Sequence, residues 1–327
     1  MGLAYGKFIL DTDPGIDDAI AIAVLLAACK ERVKLVVSSY GNTSLENTTR
    51  NALALLSLLG AADIPVVRGA GGPQPGGNGA YEHAEGVHGG DGLGGLQGGL
   101  MARAQGEARG EARHISAIEG DYLRIVYDAI FEESGAVDYI TLGPLTNLSA
   151  LLRRFPDVAG RIGRVVAMGG GIEMGNVTEH AEFNIYCDAE SADHVFSAMP
   201  DITLATLDAT TRIAFGLPQI GEIKSQGTAS AEAMASILET NYRLCTALGE
   251  PGAVMHDATA VLAYLRPELF EFGAARSLRV LCDKERYGKC VAAVSGAGGA
   301  GDGAPNVRII AGCDPQQILD AIAQSIK

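Results

Sequence analysis

Four aspartates fall within eight residues near the N-terminus, in Asp11-Thr12-Asp13-Pro14-Gly15-Ile16-Asp17-Asp18. The stretch follows the apolar run Phe8-Ile9-Leu10, so the carboxylates gather at a strand end. Like charges this close raise one another's pKa unless something positive sits among them. Carboxylates at such density suit a hard cation, Ca²⁺ or Mg²⁺. Pro14-Gly15 forces a turn, and Ala19 to Leu26 then reads as a buried helix. Asp13, Asp17 and Asp18 are therefore expected at the mouth of a strand–turn–helix unit. An aspartate near a helix N-terminus is common for dipole reasons alone. A solvated turn explains any one of these residues more easily than all four.

Three further strand ends carry polar or glycine-rich turns: Gly41-Asn42, Leu142-Gly143-Pro144 and Met168-Gly169-Gly170-Gly171. The second can expose a backbone carbonyl. The third leads to Asn176 and then to Glu182-Phe183-Asn184. Asn and Glu offer donors and acceptors without hydrophobic bulk, which suits a polyhydroxylated ligand such as a sugar. Asn176 alone also reads as a turn residue. Strand alternation would put Glu182 and Asn184 on one face. His256-Asp257 follows a Pro251-Gly252 break and precedes an apolar run. It reads either as a helix cap with an incidental imidazole or as a general acid beside a distant carboxylate ligand.

The elements that must position these groups alternate. Strands are expected at 8–10, 33–39, 65–67, 137–142, 164–168 and 203–207, with helices between them at 43–60, 121–133, 148–155 and 188–199. The second helix opens with a Thr43-x-x-Glu46 capping box. Such alternation predicts an α/β fold with an open, mainly parallel, Rossmann-like sheet and helices on both faces. Ligands of such sheets bind beyond the C-terminal strand ends, where the aspartates fall. Helices near 217–225 and 229–248, strands at 278–282 and 307–310, and a helix from Pro315 complete the chain. The glycine-rich segment 69–99, with His83 and His88, is expected to be a lid or binding loop, or else a surface insertion. Residues 102–117 read as an exposed connection and 296–303 as a hairpin tip. No repeat or linker divides the chain, so 1–327 is expected to form one domain.

Composition excludes some partners. Of 327 residues 47% are hydrophobic, enough for a large core, and the net charge is −14. Nucleic acids and anionic membranes require basic surface, so neither is expected. Six scattered cysteines without a Cys-x-x-Cys pair read as reduced thiols. With no signal peptide and no membrane span expected, the protein is read as soluble and cytoplasmic.

The opening octapeptide resembles the N-terminal signature of the inosine–uridine-preferring nucleoside hydrolases. The resemblance continues in order through Gly41-Asn42, Gly143-Pro144-Leu145-Thr146-Asn147, Met168-Gly169-Gly170, Glu182-Phe183-Asn184-Ile185-Tyr186 and His256-Asp257. It implies Ca²⁺-dependent hydrolysis of the N-glycosidic bond of ribonucleosides, in nucleoside salvage, by a homodimer or homotetramer. It implies Ca²⁺ ligation by the carboxylates of Asp13, Asp17 and Asp257 and by the carbonyl of Leu142. Asp18, Asn42, Met168, Asn176, Glu182 and Asn184, with Phe183 between the last two, would hold the ribose, and Asp11 would support that network. Asp13 would act as general base and His256 as acid. His88, and with it His83 and Tyr242, would approach the base.

The sequence departs from the family pattern at the base-binding end and at the start of the helix after His256-Asp257. The chain has no Trp, so a subgroup that sandwiches the purine between tryptophans is a poor match. Ala258 stands where a proline often follows the aspartate. Two rival readings remain: a Mg²⁺-dependent phosphohydrolase with Asp11 as nucleophile and Asp13 as acid, and a non-catalytic nucleoside- or ribose-binding protein. Few basic residues lie near these strand ends to hold a phosphate.

Overall fold

The computed structural model describes residues 6–77, 83–107, 116–292 and 305–326. Strands β1 (Phe8–Thr12), β2 (Val33–Ser38), β3 (Val66–Arg68), β4 (Val137–Thr141), β5 (Ile162–Met168) and β6 (Ile202–Ala205) alternate with helices in the first two thirds. Short strands β7 (Ala214–Phe215), β8 (Ala253–Val254) and β9 (Phe270–Phe272) follow, then β10 (Leu278–Leu281), β11 (Lys289–Ala292) and β12 (Val307–Cys313). The central sheet has eight strands in the order β3-β2-β1-β4-β5-β6-β12-β9. All pairings in it are parallel except β12 with the edge strand β9.

Helices α1 (Ile16–Cys29), α2 (Leu45–Leu58), α3 (Glu85–His88), α4 (Gln97–Glu107), α5 (Tyr122–Phe131) and α6 (Thr146–Arg154) lie in the first half. Then come α7 (Phe183–Cys187), α8 (Ala189–Ala198), α9 (Leu207–Thr210), α10 (Leu217–Lys224), α11 (Ala229–Ala247), α12 (His256–Leu265) and α13 (Pro315–Ser325). The two faces of the sheet carry separate cores. Phe8 and Leu10 point into one, with α1, α11 and α12, while Ile9 points into the other, with α6 and α8. This is the period-two alternation of a strand buried on both sides. Because β1 is central, Asp11 to Asp13 emerge at the middle of the sheet's C-terminal edge. Helix α1 is apolar all round and packs against α11 and α12, which fixes the turn that carries the aspartates.

Several expectations are corrected. The cap of α2 is Ser44, whose hydroxyl accepts from Asn47 N, rather than Thr43. Thr43 instead donates to Gly90 O, joining the helix start to the long loop. Residues 102–107 of the expected exposed connection belong to helix α4. The strand at 203–207 ends at Ala205, and Leu207 already starts α9. The strand near 278–282 does not join the main sheet but pairs antiparallel with β11. Glu182 and Asn184 do not alternate along a strand: Glu182 caps α7, accepting from Asn184 N and Ile185 N, and Asn184 lies inside the helix. The hairpin expected at 296–303 lies outside the described residues. Among the described residues, no helix is long and apolar enough to cross a membrane.

The described part of the glycine-rich segment is packed rather than loose. Leu93 is fully buried, and Asp91 Oδ1 accepts from Leu93 N and Gly95 N. Asn51 Nδ2 donates to both Pro14 O and Asp91 O, clamping this loop to the aspartate turn. On the opposite side, Asp188 Oδ2 accepts from Gln74 N and from Thr146 Oγ1, while Oδ1 accepts from Ser191 N. One buried carboxylate thus joins three segments. Asp188→Ala is expected to lower stability by about 3 kcal/mol, since it orphans several buried donors. Asp188→Asn should cost less. Urea unfolding checks this, and an alanine variant within 1 kcal/mol of the parent (roughly the worth of one ordinary hydrogen bond) would refute it.

Candidate active site

The C-terminal ends of β1, β2, β4 and β5 converge on a cavity of about 420 Å³. Asp17, Asn42, His88, Leu142, Met168, Asn176, Glu182, Phe183, Asn184, His256 and Asp257 all line it. Asp11, Asp13 and Asp18 lie just behind that lining, almost entirely buried. His83 and Tyr242 are not part of it.

The aspartate turn divides into distinct roles. Asp11 is held by Tyr139 Oη and Asn147 Nδ2, at 2.8 and 2.9 Å. Asp18 accepts from Thr12 Oγ1 on one oxygen, and from Gly15 N and Asn42 Nδ2 on the other. Its carboxylate therefore caps the start of α1 through the Gly15 amide and closes the turn. Asp13 Oδ2 accepts from Asn42 N at 2.8 Å, whereas its Oδ1 is buried without a hydrogen-bond partner among the described residues. A Cβ at Gly41 would lie 1.9 Å from Asp13 Oδ2, and one at Gly143 would lie 2.4 Å from Oδ1. Only glycine at these two places leaves room for the carboxylate, and Gly41 also has φ +154°. Oxygens of Asp17, Asp18 and Asp257 lie within 4.8 Å of one another, all from buried residues.

The opposite wall comes from β4, β5 and α7. Asn184 Nδ2 donates to Leu142 O at 2.7 Å and to Met168 O at 3.2 Å, drawing the two strand ends together. Glu182 Oε2 accepts from Gly170 N and Ile185 N. Asn176 Oδ1 accepts from Phe183 N and folds the 172–181 loop back over the cavity. His88 Nδ1 accepts from Ile16 N, so Nε2 is the nitrogen that carries the proton in the neutral ring. Val87, Met174, Val177 and Leu248, all partly exposed, form an apolar rim.

This arrangement can be set beside known proteins. The family described as inosine-uridine preferring nucleoside hydrolase matches residues 8–320. The chain belongs to that family. The pyrimidine-specific ribonucleoside hydrolase RihA of Shigella boydii serotype 4 is 32% identical over 323 residues, covering 98% of this chain and 97% of its own. RihA of an Escherichia coli strain is 34% identical over 264 residues, 80% of each chain. A plant nucleoside hydrolase, PpNRh1, superposes with a TM-score of 0.83 at 27% identity, covering 98% of each chain. The purine-preferring ribonucleoside hydrolase from Gardnerella vaginalis shares the fold, with a TM-score of 0.84 at 24% identity over 98% of each chain. This nucleoside hydrolase therefore acts on ribonucleosides at the N-glycosidic bond.

The electrostatics of the hydrolase's site are set by burial. Desolvation raises the pKa of Asp13 well above the ordinary carboxylate range, and the charge of Asp18 adds to it. Asp257 is raised in the same way by burial and then by Asp17 and Asp18. Burial also raises Asp17, Asp18 and Glu182, and brings Asp11 up to about 7. It lowers His256, against the pull of Asp17, and lowers His88 to about 4. Among the described residues, no Lys or Arg lines the cavity. An unpaired buried carboxylate oxygen beside three clustered carboxylates fits a hard, oxygen-seeking cation.

Several contributors were not visible in the sequence. Gly41 and Gly143 stood in motifs already singled out, but their task of clearing space for Asp13 depends on two strands meeting. Asn147 too stood in a motif already singled out, but its place beneath Asp11 depends on two strands meeting. Tyr139 beside it, and Cys245, Leu248 and Glu250 in the cavity lining, carried no local signal.

Gly41→Ala is expected to reduce turnover by at least about 100-fold through displacement of Asp13, with the far-UV spectrum unchanged. Near-parental activity would show that Asp13 need not sit where it does. A second expectation follows from the pKa shifts. Folded-state values above the unfolded ones mean that these carboxylates favour folding at low pH. That contribution is lost as pH rises from the ordinary 3.8 through about 7 for Asp11 and beyond for the others. A bound cation offsets the loss, so the rise in Tm on adding Ca²⁺ to EDTA-treated protein should grow with pH. A shift that is constant with pH would refute it.

Proposed function

We propose that this nucleoside hydrolase is Ca²⁺-dependent and serves nucleoside salvage in the cytoplasm. The observation that carries this reading is the buried Asp13 Oδ1, unpaired among the described residues, beside the Asp17, Asp18 and Asp257 cluster, with no Lys or Arg among the described residues of the cavity lining. Asp13, Asp17 and Asp257 would hold the ion through carboxylates and Leu142 through its carbonyl. When bound, Ca²⁺ supplies positive charge that neutralises the cluster and orients water and ribose hydroxyls. Six cysteines, none of them in a disulfide among the described residues, support a reducing compartment. The family resemblance supports a homodimer or homotetramer. The name of RihA supports pyrimidine ribonucleosides among the substrates.

The chain's own groups divide the work. Asp18, Asn42, Asn176, Glu182 and Asn184, with Met168 and Phe183 beside them, hold the ribose, and Asp11 braces the turn beneath. N-glycosidic cleavage passes through an oxocarbenium-like state, and the surrounding carboxylates stabilise its positive charge. Asp13 takes the proton from the attacking water as the new C–O bond forms. His256 assists the departing base by donating a hydrogen bond and easing its protonation, and His88 offers a second N–H donor. Dense sugar contacts allow binding energy to position the reacting carbon.

The phosphohydrolase reading loses support at the same place, because the described residues of the lining provide no Lys or Arg for a phosphate. Asp13→Ala should abolish turnover of inosine and uridine while the fold is retained; a variant keeping most of its kcat would exclude Asp13 as base. His256→Ala should slow these nucleosides far more than p-nitrophenyl riboside, whose leaving group needs no assistance. Equal losses on both would refute the role of His256. EDTA should remove activity and Ca²⁺ restore it, measured as reducing sugar released.

A further inference from the structure

His256 enters the cavity from the first turn of α12, and one of its ring nitrogens is already engaged. Thr210 Oγ1 lies 2.7 Å from His256 Nδ1. Thr210 is fully buried, and among the described residues no second hydrogen bond is made by its hydroxyl. It does not line the cavity, although its neighbour Thr211 does. A hydroxyl must place its one proton somewhere. If Thr210 accepted from Nδ1–H, its own proton would be buried without an acceptor, at a cost of about 1–3 kcal/mol. The arrangement that satisfies both groups has Thr210 donating to the Nδ1 lone pair. The neutral ring then carries its proton on Nε2.

The backbone makes this pairing rigid. Thr210 N donates to Thr206 O, Ile213 N donates to Thr210 O, and Met255 N donates to Ile213 O. Thr210 and the residue before His256 are therefore tied to one short ladder, completed by the β7–β8 pair. The turn after β6 and the start of α12 move together, and the hydroxyl stays aimed at the ring.

We propose that Thr210 is a positioning residue: it locks His256 in the Nε2–H tautomer, so that the neutral imidazole presents an N–H to the leaving base. The proposal rests on His256 being the group that assists base departure. No proton changes hands at Thr210; its hydroxyl selects which nitrogen of the ring is the donor and holds the ring plane.

The test has two independent arms. In the first, long-range ¹H–¹⁵N spectra of the histidine-labelled full-length enzyme at about pH 8, where the ring is neutral, report the tautomer directly. His256 is assigned by its loss in His256→Gln. An unprotonated Nδ1 is expected, and a protonated Nδ1 would overturn the proposal. In the second, Thr210→Val keeps the shape and removes the hydroxyl. Its kcat on inosine and uridine should fall about 10- to 100-fold with KM little changed, and its loss on p-nitrophenyl riboside should be at least fivefold smaller. Thr210→Ser should restore most of the kcat and the parental tautomer. Equal losses on all substrates, or no rescue by serine, would overturn it. His256→Ala separates the two levels. If it shows the leaving-group split and Thr210→Val does not, the assignment of Thr210 fails alone. If His256→Ala shows no split, the role of His256 fails first.

Discussion

The structure depends on keeping five aspartates and a glutamate buried together where, among the described residues, no Lys or Arg lines the cavity. Charged groups taken out of water are costly unless paired or hydrogen-bonded. The fold meets that cost through donors. Asp11 has Tyr139 and Asn147, Asp18 has Thr12, Gly15 and Asn42, and Glu182 has the amides of Gly170, Asn184 and Ile185. Asp13 has one oxygen satisfied and, among the described residues, one left over. The raised pKa values across the cluster express the same imbalance. A cation or protons must supply what the chain does not.

Much of the remaining architecture serves that requirement. A central β1 with apolar residues on both faces carries the turn to the middle of the sheet. The buried helix α1 prevents the turn from relaxing toward solvent. Gly41 and Gly143, from neighbouring strand ends, close on Asp13 where a side chain could not fit. Asn184 spans the carbonyls of Leu142 and Met168 and fixes the spacing between β4 and β5. The loop of residues 83–96 is tied to the same turn through Asn51 and Thr43, so His88 arrives in a fixed tautomer. Pre-organisation of this kind lets the site stabilise developing charge without rearranging during the reaction.

The mouth of the cavity is built differently. Its rim of Val87, Met174, Val177 and Leu248 offers apolar contact rather than a dense set of hydrogen bonds. The rest of the lining, with Asp17, Asn42, Asn176, Glu182, Asn184 and Asp257, is polar. His88 and His256 also line the cavity, each with Nδ1 engaged by a protein group.

The alternation of apolar strands and helices determined the sheet, its helical cover and the edge on which the site lies, because each strand and helix declares its buried face through local periodicity. The Asp-rich octapeptide pointed to a site for a hard cation, and its resemblance to a family signature rather than its charge carried the reaction class. Contacts between distant segments were decided only by tertiary structure. Asn147 beneath Asp11, Gly41 and Gly143 around Asp13, Thr210 behind His256 and the apolar rim join residues tens to hundreds of positions apart, and no local pattern encodes such meetings. Glu182 and Asn184 show the same limit at short range. Three residues of polar–apolar–polar sequence fit a strand as well as a helix cap, and only the amide of Gly170 and the carbonyls of Leu142 and Met168, arriving from other strands, made the cap the lower-energy choice.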